Sequence, residues 1–199
     1  MSLNIRLLIV SLAFSLVASQ ATYAGKVLTA LAGDLVVVEG KSVTPATVQS
    51  SSNTHVAFYF SAEWCPPCRK FTPGLVTWYE EIKKKYPGFE LIFVSSDKSP
   101  ADMEKYMEGY KMSFPAIKHT KIEQHMDLVK ATGNGIPNMT FMDADGNVLS
   151  TAYADGNYRG PGAVLKDIET VLAKNATAPA SSASNTVGQG AFDIFKDKR

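Results

Sequence analysis

Cysteine is scarce in this 199-residue chain, with Cys65 and Cys68 the only two. No framework of several disulfides is possible. A bridge between these two would close a loop too short to restrict the unfolded chain much. Long hydrophobic runs are also missing: the most apolar stretch, Leu7 to Ala18, is about a dozen residues, short of the roughly 20 that a membrane-spanning helix needs. Charge of one sign is lacking too. Lys plus Arg number 20 and Asp plus Glu 19, which removes the basic footprint of a nucleic-acid or anionic-membrane binder. The three histidines, His55, His119 and His125, show no paired spacing. They do not complete a four-ligand zinc site with the cysteines, and are read as ordinary surface or strand-edge residues. Haem attachment fails as well, because Arg69 stands where that pattern needs histidine.

What is present is concentrated around Trp64-Cys65-Pro66-Pro67-Cys68. A Cys-x-x-Cys that opens a helix after a strand is the sequence form of a dithiol/disulfide centre. One helical turn brings the two α-carbons to roughly 5–6 Å, within disulfide range. Cys65 is expected at the helix start, where free N–H groups and the helix dipole favour a thiolate. Pro66 and Pro67 cost little in a first turn, whose N–H groups have no intrahelical partner. Cys68, one turn further in, is expected to be the less exposed, resolving thiol.

The ends differ from the middle. Arg6, the apolar run from Leu7 and the small residues through Ala24 make the three-part pattern of a secretory signal peptide, with cleavage expected after Ala24. Residues 25–175 are assigned to one domain. From 176 to 199 small and polar residues dominate, and a disordered tail is expected.

Along the domain, Leu35–Val38 and Ser42-Val43 read as a β-hairpin. His55–Ser61 and Glu90–Ser95 read as buried strands, apolar on both faces. A helix is predicted over 66–86, kinked at Pro73. A second is predicted from Pro100 to about Glu108, and a third behind a Thr120–Glu123 capping box, stopped by Gly133. Asn138–Met142 and Val148–Tyr153 read as strands joined by an Asp145-Gly146 turn. A last helix carries Val164, Leu165, Ile168, Val171 and Leu172 on its apolar face. Trp78, Tyr79 and most of the methionines are read as core or groove-lining, with a border position on a substrate surface left open for Met112 and Phe114.

The string Phe58-Tyr59-Phe60-Ser61-Ala62-Glu63-Trp64-Cys65-Pro66-Pro67-Cys68-Arg69, with Phe71-Thr72-Pro73 behind it, resembles the thioredoxin superfamily. Within it the chain is most similar to tryparedoxins and nucleoredoxins. The resemblance spans about Leu28 to Ala173. It implies an α/β thioredoxin-like fold: a central mixed sheet flanked by helices, with the hairpin at its N-terminal end. It also implies that Ile136-Pro137 is a cis-prolyl bond opposite the cysteines, holding the Ile136 backbone for pairing with an extended substrate. Trp64 would shield the sulfurs and offer an apolar contact. One departure stands out. Where thioredoxins place a buried Asp, this chain has Tyr59, a weak substitute for a carboxylate in proton transfer.

These readings converge on an exported thiol–disulfide oxidoreductase, periplasmic or secreted, reducing protein disulfides through Cys65 and Cys68. No cofactor or metal is expected. The partners would be protein disulfides or dithiols and an upstream thiol donor, with no nucleic acid, no stable membrane insertion and a monomeric state. Two alternatives stay open: a reductase dedicated to cytochrome c or metalloprotein maturation, and a thioredoxin-fold binding or chaperone module without redox turnover.

Overall fold

A computed structural model describes residues 25–48 and 55–177. The expected leader (1–24), the polar segment 49–54 and the tail from 178 lie outside the described residues. In chain order the elements are α1 (Lys26–Ala30), β1 (Leu35–Glu39), β2 (Ser42–Pro45), β3 (His55–Ser61), α2 (Pro66–Lys85), β4 (Phe89–Ser95), α3 (Pro100–Tyr110) and β5 (Ala116–Ile117). A 3-10 turn (His119–Lys121) follows, then α4 (Ile122–Val129), β6 (Asn138–Met142), β7 (Val148–Thr151), β8 (Tyr153–Ala154), β9 (Asn157–Tyr158) and α5 (Pro161–Thr177).

Seven strands form one mixed sheet in the order β2-β1-β5-β4-β3-β6-β7. β3 and β4 lie parallel, with Val56 opposite Glu90 and Phe60 opposite Val94; the crossover such a pair requires is α2. β6 runs antiparallel to β3, with Asn138 opposite Phe60. Successive side chains of a strand point to opposite faces, so the apolar runs of β3 and β4 supply two cores. Tyr59, Leu91 and Phe93 pack with Leu75 and Tyr79 of α2, Met103 and Tyr106 of α3, and Val164 and Ile168 of α5. Val56, Phe58, Phe60 and Ile92 pack on the other face with Val27, Leu28 and Leu31 of α1 and Val129 of α4. Helices on both faces explain why these strands lack polar alternation. The α/β thioredoxin-like architecture is the observed one.

Helix α2 continues through Pro73. An interior proline costs about 3 kcal/mol, and each large side chain buried contributes about 1.5–3 kcal/mol. Leu75, Tyr79 and Ile82, all buried one or more turns beyond it, outweigh that cost. Ser99 caps α3 by accepting a hydrogen bond from the Asp102 backbone N–H.

Several expectations need correction. The Thr120 capping box does not form: Thr120 lies within the 3-10 turn, and Lys121 at the start of α4 makes no side-chain cap. That helix stops at Lys130 in the left-handed region, φ 47°, ahead of Gly133. The predicted strand Val148–Tyr153 breaks after Thr151, and Tyr153 pairs with Tyr158 in a separate two-stranded ribbon. The segments α1, β5 and β9 went unpredicted, each too short to show a period. Met112 and Phe114 are buried in the core, not on a substrate surface. His125 is also buried; its Nε2 lies 2.9 Å from Asp34 Oδ2, tying α4 to the turn after α1. Among the described residues no helix is long and apolar enough to cross a membrane.

Candidate active site

Cys65 lies one short turn (62–64) past the end of β3 and is the N-cap of α2, with the extended backbone (φ −92°, ψ 105°) that lets a cap side chain turn back onto the helix. Its sulfur accepts a hydrogen bond from the Cys68 backbone N–H at 3.2 Å. Cys65 and Cys68 form a disulfide with α-carbons 5.2 Å apart. Cys68 is fully buried and Cys65 keeps 3% of its surface, so the little exposure the pair has belongs to the expected nucleophile. Pro66 and Pro67 are exposed at the helix start.

The Ile136–Pro137 bond is cis. It places the Ile136 carbonyl oxygen 3.7 Å from Cys65 Sγ, and Ile136 packs with Ala62 and both cysteines. The residues singled out from the sequence therefore meet at one place. Trp64 stands beside them, 55% exposed, with its indole N–H donating to the Ser96 carbonyl at 3.0 Å.

Beneath the disulfide lies a chain of buried hydroxyls. Thr72 Oγ1 donates to the Cys68 carbonyl at 2.9 Å. Having one proton, it must accept from Tyr59 Oη at 3.0 Å and from Tyr106 Oη at 2.6 Å. Tyr106 in turn accepts from Ser61 Oγ at 2.9 Å. Burial pushes both phenols above their ordinary pKa, so both stay protonated at neutral pH and remain donors. Tyr59 thus serves the first turn of α2 as a hydrogen-bond donor, a role a carboxylate could not take.

Sequence reasoning missed Asp97. Its Oδ1 accepts the Glu63 backbone N–H at 2.8 Å and its Oδ2 accepts from Ser95 Oγ at 2.7 Å. One signal pointed there: Ser95-Ser96-Asp97 ends a central strand, the edge where α/β sheets bind ligands. Tyr158 was missed too, and donates to the Pro137 carbonyl at 2.7 Å. Nothing in the local sequence marks it. Among the described residues no group of three or more His, Cys, Asp or Glu side chains is placed to hold a metal ion.

Residues 53–148 match a family model described as thioredoxin-like. Human nucleoredoxin is 36% identical over 121 residues, which cover 60% of this chain and 27% of that protein. Probable nucleoredoxin 1 of Arabidopsis thaliana is 45% identical over 76 residues, 38% of this chain and 13% of that one. The match thus spans about a quarter of human nucleoredoxin. Among solved structures, tryparedoxin II from C. fasciculata is 30% identical with a TM-score of 0.53, covering 81% of this chain and 99% of that one. Thioredoxin from Wuchereria bancrofti is also 30% identical, with a TM-score of 0.51 over 71% of this chain and 97% of that one. A bridged cysteine pair capping a helix against a cis-proline agrees with those likenesses: the chain belongs to the thioredoxin superfamily and is tryparedoxin- and nucleoredoxin-like.

Proposed function

We propose that this chain is an exported enzyme that reduces protein disulfides, using Cys65 as nucleophile and Cys68 as resolving thiol. The observation that carries the reading is the position of the disulfide, with Cys65 capping α2 and Cys68 buried behind it. In the dithiol form the Cys65 thiolate attacks one sulfur of a substrate disulfide. A mixed disulfide forms and the first substrate thiolate leaves. Cys68 then loses its proton and attacks Cys65 Sγ, expelling the second substrate thiolate. Two electrons pass to the substrate and the Cys65–Cys68 bridge is regenerated. A thiol donor upstream returns the bridge to the dithiol.

Export is supported by the three-part leader pattern of residues 1–24. Mass spectrometry of the mature protein should find Gly25 as its first residue, and an intact leader would refute cleavage. Insulin reduction with dithiothreitol as donor tests the chemistry. Cys65→Ser should fall to the uncatalysed background, whereas Cys68→Ser should stop turnover and accumulate mixed disulfides with substrate. Undiminished function with both cysteines replaced would turn the reading into that of a binding module. The reduction potential sets the direction: a value near about −270 mV fits a reductase, and one near about −120 mV an oxidant.

A further inference from the structure

The ribbon of β8 and β9 contributes nothing to the sheet, yet it is the element against which the cis-prolyl loop rests. Tyr158 Oη holds the Pro137 carbonyl at 2.7 Å. Its ring packs on Tyr153 with centroids 4.9 Å apart. Tyr153 in turn lies so close under the loop that a Cβ at Gly133 would sit 2.6 Å from its ring, and one at Gly135 2.5 Å from its hydroxyl. The ribbon is itself fixed, because the Arg159 and Gly160 N–H groups both donate to the Ala152 carbonyl and the Arg159 guanidinium bonds Asp167 and Ser150. Tyr158 nevertheless leaves 51% of its surface exposed, matching Trp64 at 55%.

The two aromatics are tethered on opposite sides of β3. β3, which delivers Cys65, runs between β4 and β6 in the sheet. Trp64 is tied to Ser96 just past the end of β4, and Tyr158 to Pro137 just before the start of β6. Each side chain spends its polar atom on a backbone carbonyl and turns ring surface to solvent. That arrangement suits a bulky apolar group crossing the site and offers little to a small hydrophilic disulfide.

We propose that Tyr158 positions the cis-prolyl loop and, opposite Trp64, selects extended protein segments that carry a large apolar side chain beside the reacting cysteine. The proposal rests on the redox function proposed above. Its test compares kcat/KM for two matched peptide disulfides, with Phe or Gly next to the cysteine, using the full chain and dithiothreitol as donor. The wild type should prefer the Phe peptide, and Tyr158→Ala should shrink that preference by about tenfold, the scale of one lost aromatic contact. Tyr158→Phe keeps the ring and loses only the bond to Pro137, so it should slow both peptides by a similar factor and retain the preference. A wild type that treats the peptides alike, or a Tyr158→Ala variant slowed equally on both, would overturn the proposal. Wild-type failure on both peptides and on insulin would instead sink the redox reading, and the proposal with it.

Discussion

The turn that carries Cys65 (residues 61–68) and the loop that carries Pro137 (residues 130–137) meet at the disulfide, but they are held by different kinds of contact. The first is tied mostly to the segment just past the end of β4: Glu63 N–H donates to Asp97 and Trp64 to the Ser96 carbonyl, 34 and 32 positions away, while Cys65 N–H bonds the Ala62 carbonyl at 3.2 Å within the turn itself. The second is held through its carbonyls by side chains nearer in sequence, from β6 and the ribbon. Asn138 Nδ2 donates to the Thr132 carbonyl at 2.5 Å, Thr140 Oγ1 to the Lys130 carbonyl at 3.1 Å, and Tyr158 to Pro137. The cysteine turn is thus anchored to the end of β4, and the cis-prolyl loop beside it to β6 and the ribbon. A site divided this way can vary its clients while the cysteine turn stays unchanged.

Four substitutions would break or sharpen that contrast. The largest effect is expected from Thr72→Val, which deprives two buried tyrosine hydroxyls of their acceptor. At about 1–3 kcal/mol for each unsatisfied buried group, urea unfolding should show a loss of about 2–4 kcal/mol, with catalysis impaired through the first turn of α2. Gly133→Ala should follow. Gly133 has φ +70° and its Cβ would meet the Tyr153 ring, so a cost of about 2 kcal/mol is expected. Adding Tyr153→Ala should recover only the steric part of it. If Gly133→Ala changed neither stability nor peptide reduction, the view that the ribbon supports the cis-prolyl loop would fail.

Asp97→Ala should cost about 1–2 kcal/mol by leaving the Glu63 N–H without its partner. Insulin reduction should fall with it while the far ribbon is undisturbed. The smallest effect belongs to Asp167, which anchors the ribbon through Ser150 and Arg159. Its carboxyl is held below the ordinary value of 3.8, first by the Ser150 hydroxyl and then by Arg159, against a partial opposing effect of burial. The unfolded chain then binds the proton more readily than the folded one. The stabilisation is therefore present above about pH 4 and lost as pH falls through the lowered value. Because the carboxylate is 44% exposed, solvent screening limits it to well under about 1 kcal/mol. Asp167→Asn should accordingly lower stability at pH 7 slightly and flatten its decline in acid.

Much of the active-site half was legible in the sequence. A two-sided apolar strand, a Cys-x-x-Cys and a double proline are contiguous, so their physics is local: helix-start geometry brings the sulfurs together whatever surrounds them. The strands His55–Ser61 and Asn138–Met142 were read to the residue because length and apolar run agree there. The misreadings of burial share one cause, which is that burial is not a local property. Met112 and Phe114 follow the exposed end of α3 in sequence but fold beneath it, where Phe114 meets Tyr79 edge-on at 5.3 Å. His125 is buried because Asp34, 91 positions away, supplies a partner.

From the residue pattern alone it follows that this chain carries one short dithiol turn at the start of a helix, in a doubly covered mixed sheet; the resemblance of Phe58–Pro73 is what makes that sheet thioredoxin-like. Helix periodicity, strands apolar on both faces and proline placement suffice for the turn and the covered sheet, since each acts within a few residues. Which residues support the centre is a matter of tertiary structure. Asp97 reaches Glu63 across 34 positions, Tyr106 reaches Ser61 across 45, and Tyr158 reaches Pro137 across 21. Hydrogen bonds of this kind depend on distance in space to within a few tenths of an ångström, and only the packed sheet and its helices bring those atoms into range.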